Sequence, residues 1–252
     1  MDLAAWEIAA LIIAGMAGGF INVMAGGGSV ITVPVMIFLG VPGPIANGTN
    51  RIPILAQNIT AALTYLRHGL PQSGMLFSLA VCAIPGSVAG ALVGAHLPAE
   101  TFNVLLAVVM AGVLFLMLTG TGRTDSVSST TISPRQRALG HLLMILAGFW
   151  GGFIQIGMGF VLLPILNRVL GMDLVAANIH KVFIILLYTV SALLVFGSEL
   201  ELLWWVGAVM AIGNALGGWM GARLTLAGGE QIIRVMVILA IAGMIVKLIW
   251  FT

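Results

Sequence analysis

The chain has 252 residues, of which 60% are hydrophobic and 7% charged, with a formal net charge of +2. Soluble domains carry about 25% charged residues, so this composition, with a mean hydropathy of +1.16, excludes a soluble globular domain and indicates an integral membrane protein. Apolar runs of about twenty residues match a helix crossing a core of roughly 30 Å, and the alternation of a β-barrel strand is absent, so the expected fold is all-α.

In chain order, the first half reads as apolar segments at about 4–25, 28–40, 46–66, 74–95 and 99–119. Its first ten residues, MDLAAWEIAA, have no basic n-region, so a cleaved signal peptide is not expected. Glycines at 26–28 interrupt the first run, and Ser29 opens the second. The stretch GPIANGTNRIPILAQNIT (43–60) then places an arginine and four amides inside an otherwise apolar segment. The polar stretch 121–137, TGRTDSVSSTTISPRQR, is expected to be a cytoplasmic loop.

The second half repeats the first, with segments at about 138–157, 159–170, 175–196, 202–222 and 230–250. GGFINVMAGGGSVITVP (18–34) matches GFWGGFIQIGMGFVLLP (148–164), ANGTNR (46–51) meets ANIHKV (177–182), and GSVAGALVGAHL (86–97) matches GNALGGWMGARL (213–224). Residues 1–120 and 138–252 thus form two repeats, an arrangement characteristic of transporters. Segments 28–40 and 159–170 are too short to span alone, since thirteen residues cover only about 20 Å. Each either continues the preceding helix or turns back with it as a re-entrant hairpin.

Charge favours the hairpin. If the chain turns back, Arg67, Arg123, Arg135, Arg137, Arg168, Arg223 and Arg234 share one face, and the other keeps only Lys247 with Asp2, Glu7, Glu100, Glu199 and Glu201. Basic residues favour the cytoplasmic face, so both termini are expected outside. Three full crossings per repeat, an odd number, make the second repeat inverted. The pI near 9.1 is explained by these loop cations and does not describe a basic patch for nucleic acid.

Arg51 and Lys181 are the basic residues that lie neither in a loop nor at a membrane edge; each falls several residues inside a segment, at equivalent places in the two repeats. A charge at the membrane centre costs about 2.5–3.5 kcal/mol on insertion scales, so it usually faces a cavity and marks function. The alternative is a structural ion pair, but no Asp or Glu falls inside the expected core to supply one. Around these cations the expected anion site gathers the hairpin glycines Gly27, Gly28 and Gly157, where new helices begin and unpaired N–H groups favour anions. Asn22, Ser29, Asn50, Gln155 and Asn178 would add neutral donors, against the plainer reading that amides and hydroxyls join helices. His180 could titrate as substrate passes or simply pack, and Met158 could line the cavity or only contact the core.

The Gly86–Gly90–Gly94 and Gly213–Gly217–Gly221 ladders read as close helix packing or a dimer seam. Cys82 is the only cysteine, which excludes an internal disulfide or a cysteine metal cluster. No cofactor or metal is expected. AGGGS (25–29) lacks the Gly-Lys-Ser/Thr of a P-loop, and His68, His96 and His141 have no catalytic spacing, so an enzyme is not expected.

GFINVMAGGGSVITVPVMIFLGVPGPIANGTNR, with its degenerate copy in the second half, resembles the TauE/SafE family of bacterial sulfite and organosulfonate exporters. The glycine-rich hairpin, Pro34 and the Ala46-x-Gly48-Thr49 element carry the likeness. The resemblance implies an inner-membrane permease for sulfite, sulfoacetate or a related anion, working in the lipid bilayer as a homodimer. In the second half GGG becomes GMG and Gly-Thr becomes Ile179-His180, so a symmetric site is not assumed. An anion channel, or a permease for another small oxyanion or carboxylate, is the alternative.

Overall fold

The computed structural model describes residues 3–68, 74–118 and 132–250, with side chains for all of these except 113–118 and 228–250. Most of the expected polar loop, with Arg123, and Asp2 lie outside the described residues, as do the side chains of Arg234 and Lys247. Among the described residues the chain is all-helical. Three helices are long and apolar enough to cross a membrane: α1 (Ala5–Met24), α5 (Gly74–Ala95) and α9 (Leu174–Glu199). The chain is a multi-pass membrane protein.

Four helix starts carry a local signal. Glu7 accepts from the Ala4 amide at the start of α1 (2.7 Å). At α7 (Pro134–Phe153), Ser133 and Gln136 satisfy each other's backbone amides. Asp173 accepts from the Ala176 amide (2.8 Å) at the start of α9. Pro44 sits in the first turn of α3 (Gly43–Thr49), where a missing N–H costs nothing. Only Asn50 separates α3 from α4 (Arg51–Arg67), so the expected segment 46–66 is two nearly continuous helices.

Both short segments turn back. In the first, α1 ends at Met24 and α2 (Ser29–Phe38) runs beside it: Gly18 packs on Gly28 and Thr32. A straight helix would separate Gly18 from Thr32 by about 20 Å. In the second, α8 (Met158–Pro164) and a π turn (Ile165–Val169) return along α7, so that Gly140 packs on Leu170. Pro164 sits where the α-helical pattern gives way to the π turn, as proline removes a helical hydrogen bond.

The glycine ladders join the halves crosswise. Gly86, Gly90 and Gly94 of α5 face the carbonyls of Ile145, Phe149 and Phe153 on α7. Gly213, Gly217 and Gly221 of α10 (Trp204–Trp250) face those of Ile12, Met16 and Phe20 on α1. At every position but Gly221, where a Cβ would be only tight, backbones this close leave no room for one, which is the use of small residues between membrane helices. The remaining described helix, α6 (Ala99–Leu118), begins against α3, with Phe102 filling the space beside Gly43.

The expected loop between 202–222 and 230–250 is not present: both segments fall inside the single helix α10. The Gly228–Gly229 pair costs a helix only about 1 kcal/mol per residue relative to alanine, and no proline follows to stop it. At 1.5 Å per residue, α10 is about 70 Å long, more than twice a bilayer core.

Candidate functional site

The two helix breaks meet at one point. Gly26, at φ 81°, and Gly159 touch backbone to backbone, and the Gly159 amide donates to the Gly26 carbonyl (3.2 Å). A side chain at either position would overlap the other strand of the junction, so only glycine permits it. Gln155 also adopts a left-handed backbone, φ 63°. This is unfavourable for a side chain with a Cβ, by about 1–2 kcal/mol, and it aims the Gln155 amide at Arg51.

Arg51 is fully buried at the start of α4. One guanidinium nitrogen, Nη1, donates to the Gly151 carbonyl and to Gln155 Oε1. The other, Nη2, donates to the Gly152 carbonyl (2.7 Å) and to Asn47 Oδ1 (3.2 Å). Asn47 in turn donates to the Phe153 carbonyl (2.8 Å). The carbonyl before these, on Trp150, accepts from the amides of Ile154 and Gln155. The last four carbonyls of α7, which a helix cannot satisfy internally, are therefore all accounted for. The guanidinium also lies 5.2 Å from the ring centroid of Phe196.

Lys181 does the same for the other break. It is fully buried in α9, and its Nζ donates to the carbonyls of Asn22 (3.1 Å) and Val23 (2.8 Å) in the last turn of α1. Each cation thus sits on a helix C-terminus from the opposite half of the chain. Among the described residues neither has a carboxylate partner; the one ion pair there joins His96 to Glu199 at 3.4 Å. A helix C-terminus carries about −0.5 elementary charge and an N-terminus about +0.5. Two cations on two C-termini, beside the starting end of α2, leave the centre with a net positive charge.

The other expected residues divide. Gln155 joins Arg51, and Asn22 meets Lys181 through its backbone. Ser29, in the first turn of α2, accepts from Asn50 (3.4 Å), and both are buried. Asn178 turns instead to Tyr65 (3.4 Å) and Thr225 (3.2 Å). His180 points back to the Ala176 carbonyl of its own helix (2.8 Å). Gly28 packs against Gly18, and Gly27 lies beneath the Phe160 ring. Gly157 opens α8 in a left-handed conformation, φ 72°, and Met158 is buried in a core cluster with Ile54. The Gly48-Thr49 element packs on the turn before α10, where Thr49 accepts from the Leu203 amide (3.2 Å).

Sequence reasoning missed Asn47 as a helix cap and both tyrosines. The chain has two tyrosines, one on each cation-bearing helix, and both are fully buried. Tyr65 belongs to the network beside Asn178, and the Tyr188 hydroxyl lies against Gly151. Their scarcity and their presence on the two cation-bearing helices, one in each half, were the available signal.

The chain matches known proteins along nearly its whole length. Residues 11–248 match the model of the family described as "Sulfite exporter TauE/SafE". The chain is 28% identical to a "Probable membrane transporter protein ORF9" of Sinorhizobium sp, covering 98% of this chain and 94% of that protein. It is 27% identical to a "Probable membrane transporter protein" of Haemophilus influenzae, covering 99% and 97%. A "Probable membrane transporter protein YfcA" of Escherichia coli (strain K12) is 28% identical, covering 95% and 88%.

Proposed function

Since this chain belongs to the sulfite exporter TauE/SafE family, we propose that it carries small sulfur-containing anions such as sulfite or sulfoacetate across the bacterial inner membrane. The carrying observation is the pair of fully buried cations, Arg51 and Lys181, each held by carbonyls at a helix break and by no carboxylate among the described residues. Acceptor-rich anions suit an Arg guanidinium, whose fork of donors matches their oxygens. Two cations suit a dianion such as sulfoacetate, one for each acidic head.

In this reading residues 1–120 and 138–252 are inverted repeats, and substrate binds between them near mid-membrane. Arg51, Lys181, Gln155, Asn50, Asn178, Asn22 and Ser29 supply the polar surface, with Gly27, Gly28 and Gly157 at the hairpin tips. Met158 and His180 stand at its edge. Movement of one repeat against the other exposes the site alternately. The sealing of both cations from solvent favours this carrier cycle over an open channel. The arginine-rich loops face the cytoplasm, which puts the N-terminus in the periplasm; the unbroken α10 removes the turn that would return the C-terminus to that side. The inside-negative potential drives an anion outward by about 2.3 kcal/mol per charge per 100 mV. A homodimer would use the exposed apolar faces of the bundle.

Counterflow of labelled sulfite and sulfoacetate into proteoliposomes tests the reading, with Arg51→Ala and Lys181→Ala alongside. Saturable exchange lost in both variants supports it. Wild-type exchange in both variants would remove the two cations from the site.

A further inference from the structure

The Arg51 end of the centre holds polar groups that the protein leaves unused. Arg51 Nε, Gln155 Nε2 and the Tyr188 hydroxyl are all buried, and none has a hydrogen-bond partner. They belong to one connected set. Gln155 accepts from Arg51 Nη1 through Oε1, so its amide is oriented with its NH₂ group away from that contact. Reversing the amide would set donor against donor, so the assignment follows from the arginine. Tyr188 lies against Gly151, whose carbonyl also accepts from Nη1. Its hydroxyl lies beside the Gln155 amide and within electrostatic reach of Arg51.

All three groups can donate a hydrogen bond, and the two nitrogen groups can only donate. A structural network would interleave acceptors with them, because a buried donor left unmade is costly and rare in native interiors. The Lys181 end differs: its unpartnered buried atom beside Tyr65 and Thr225 is Asn178 Oδ1, an acceptor.

We infer that Tyr188, Gln155 and Arg51 form a subsite of converging hydrogen-bond donors that seats the oxygens of one acidic head, a sulfite or sulfonate group, at the second helix break. The inference rests on the anion-transport reading and adds Tyr188 as the residue that selects the bound oxyanion. The substrate's orientation follows: its fully deprotonated, oxygen-rich head faces α7 and α9, and the rest of the molecule extends toward Lys181. The helix break strains Gln155 because its amide is needed there rather than at a relaxed turn.

The test is binding and counterflow of sulfite, sulfoacetate, sulfate and acetate with wild type, Tyr188→Phe and Arg51→Ala, each with its thermal midpoint. Tyr188→Phe removes one hydroxyl and no volume to speak of. Loss of a hydrogen bond to a charged group predicts affinity for the transported oxyanion about ten- to hundredfold weaker, with an unlowered thermal midpoint. A structural role would instead lower the midpoint. The chain's two tyrosines also permit 3-fluorotyrosine labelling, with the two fluorine resonances assigned through Tyr65→Phe or Tyr188→Phe. Saturating sulfite or sulfoacetate should shift the Tyr188 resonance of wild type, a readout that holds even if Tyr188→Phe does not fold.

Unchanged affinity in Tyr188→Phe, or an unmoved resonance in a protein that binds the anion, overturns the subsite; loss in Arg51→Ala would then still support the broader reading. If wild type binds sulfate or acetate instead, and Tyr188→Phe weakens it, the subsite stands and the sulfur cargo falls. If wild type binds none of the four, both fall.

Discussion

Replacing Lys181 with methionine separates the two jobs a buried cation can do. Its Nζ makes hydrogen bonds to the Asn22 and Val23 carbonyls at 3.1 and 2.8 Å. A hydrogen bond involving a charged group contributes about 1.5–3 kcal/mol, so the two together contribute roughly 3–6 kcal/mol. Removing the charge returns the cost of holding it in the membrane, about 2.5–3.5 kcal/mol. Methionine fills much the same volume, so little cavity term arises. The net loss is therefore about 0–3 kcal/mol, or a fall of several degrees in the thermal midpoint for a chain of this size. Transport should meanwhile fall below detection, because no cation remains at the α1 break to meet the anion. Thermal unfolding in detergent and proteoliposome counterflow on the same preparation decide the matter. A fall of more than about 15 °C would show that lysine is chiefly a strut for α1. Full transport with a small fall would show that its charge serves neither substrate nor fold.

Other outcomes follow from the same geometry. Arg51→Lys keeps the charge but loses the fork that reaches Gly151, Gly152, Gln155 and Asn47 together; counterflow should drop at least about tenfold, equivalent to roughly 1.4 kcal/mol. Gly159→Ala would push a methyl group into the Ala25 carbonyl and Gly26, so transport should fall while the crosswise helix pairs persist, as read by counterflow beside circular dichroism. Gly90→Val and Gly217→Val each force apart a backbone contact, with Phe149 and Met16 respectively. Each should cost about 1–3 kcal/mol. The two sites share no partners, so the double variant should lose about the sum in thermal unfolding.

Several elements were legible in the sequence because hydropathy and punctuation act locally. The segments expected at 4–25, 74–95 and 175–196 correspond to α1, α5 and α9 within a few residues, since twenty apolar residues have few alternatives in a membrane. The short segments 28–40 and 159–170 and the distribution of loop charge marked the two returns, and the absence of nearby carboxylates marked Arg51 and Lys181 as unusual. Local signals were weaker at α10, where the gap left between segments 202–222 and 230–250 is overridden by helical continuity.

What each buried group touches was decided only by the tertiary structure. The carbonyls that hold Arg51 lie about a hundred residues away and those that hold Lys181 still further. Backbone carbonyls carry no side-chain identity, so no residue pattern could announce them. The crosswise pairing of the glycine ladders, α5 with α7 and α10 with α1, was likewise invisible, because a ladder shows that a helix approaches another closely without saying which. The sequence by itself determined an all-helical membrane protein with two broken helices and two costly cations. Long-range packing decided that each break is closed by the cation of the opposite half, because only there do a helix's unsatisfied carbonyls and a charge without a counter-ion solve each other's problem.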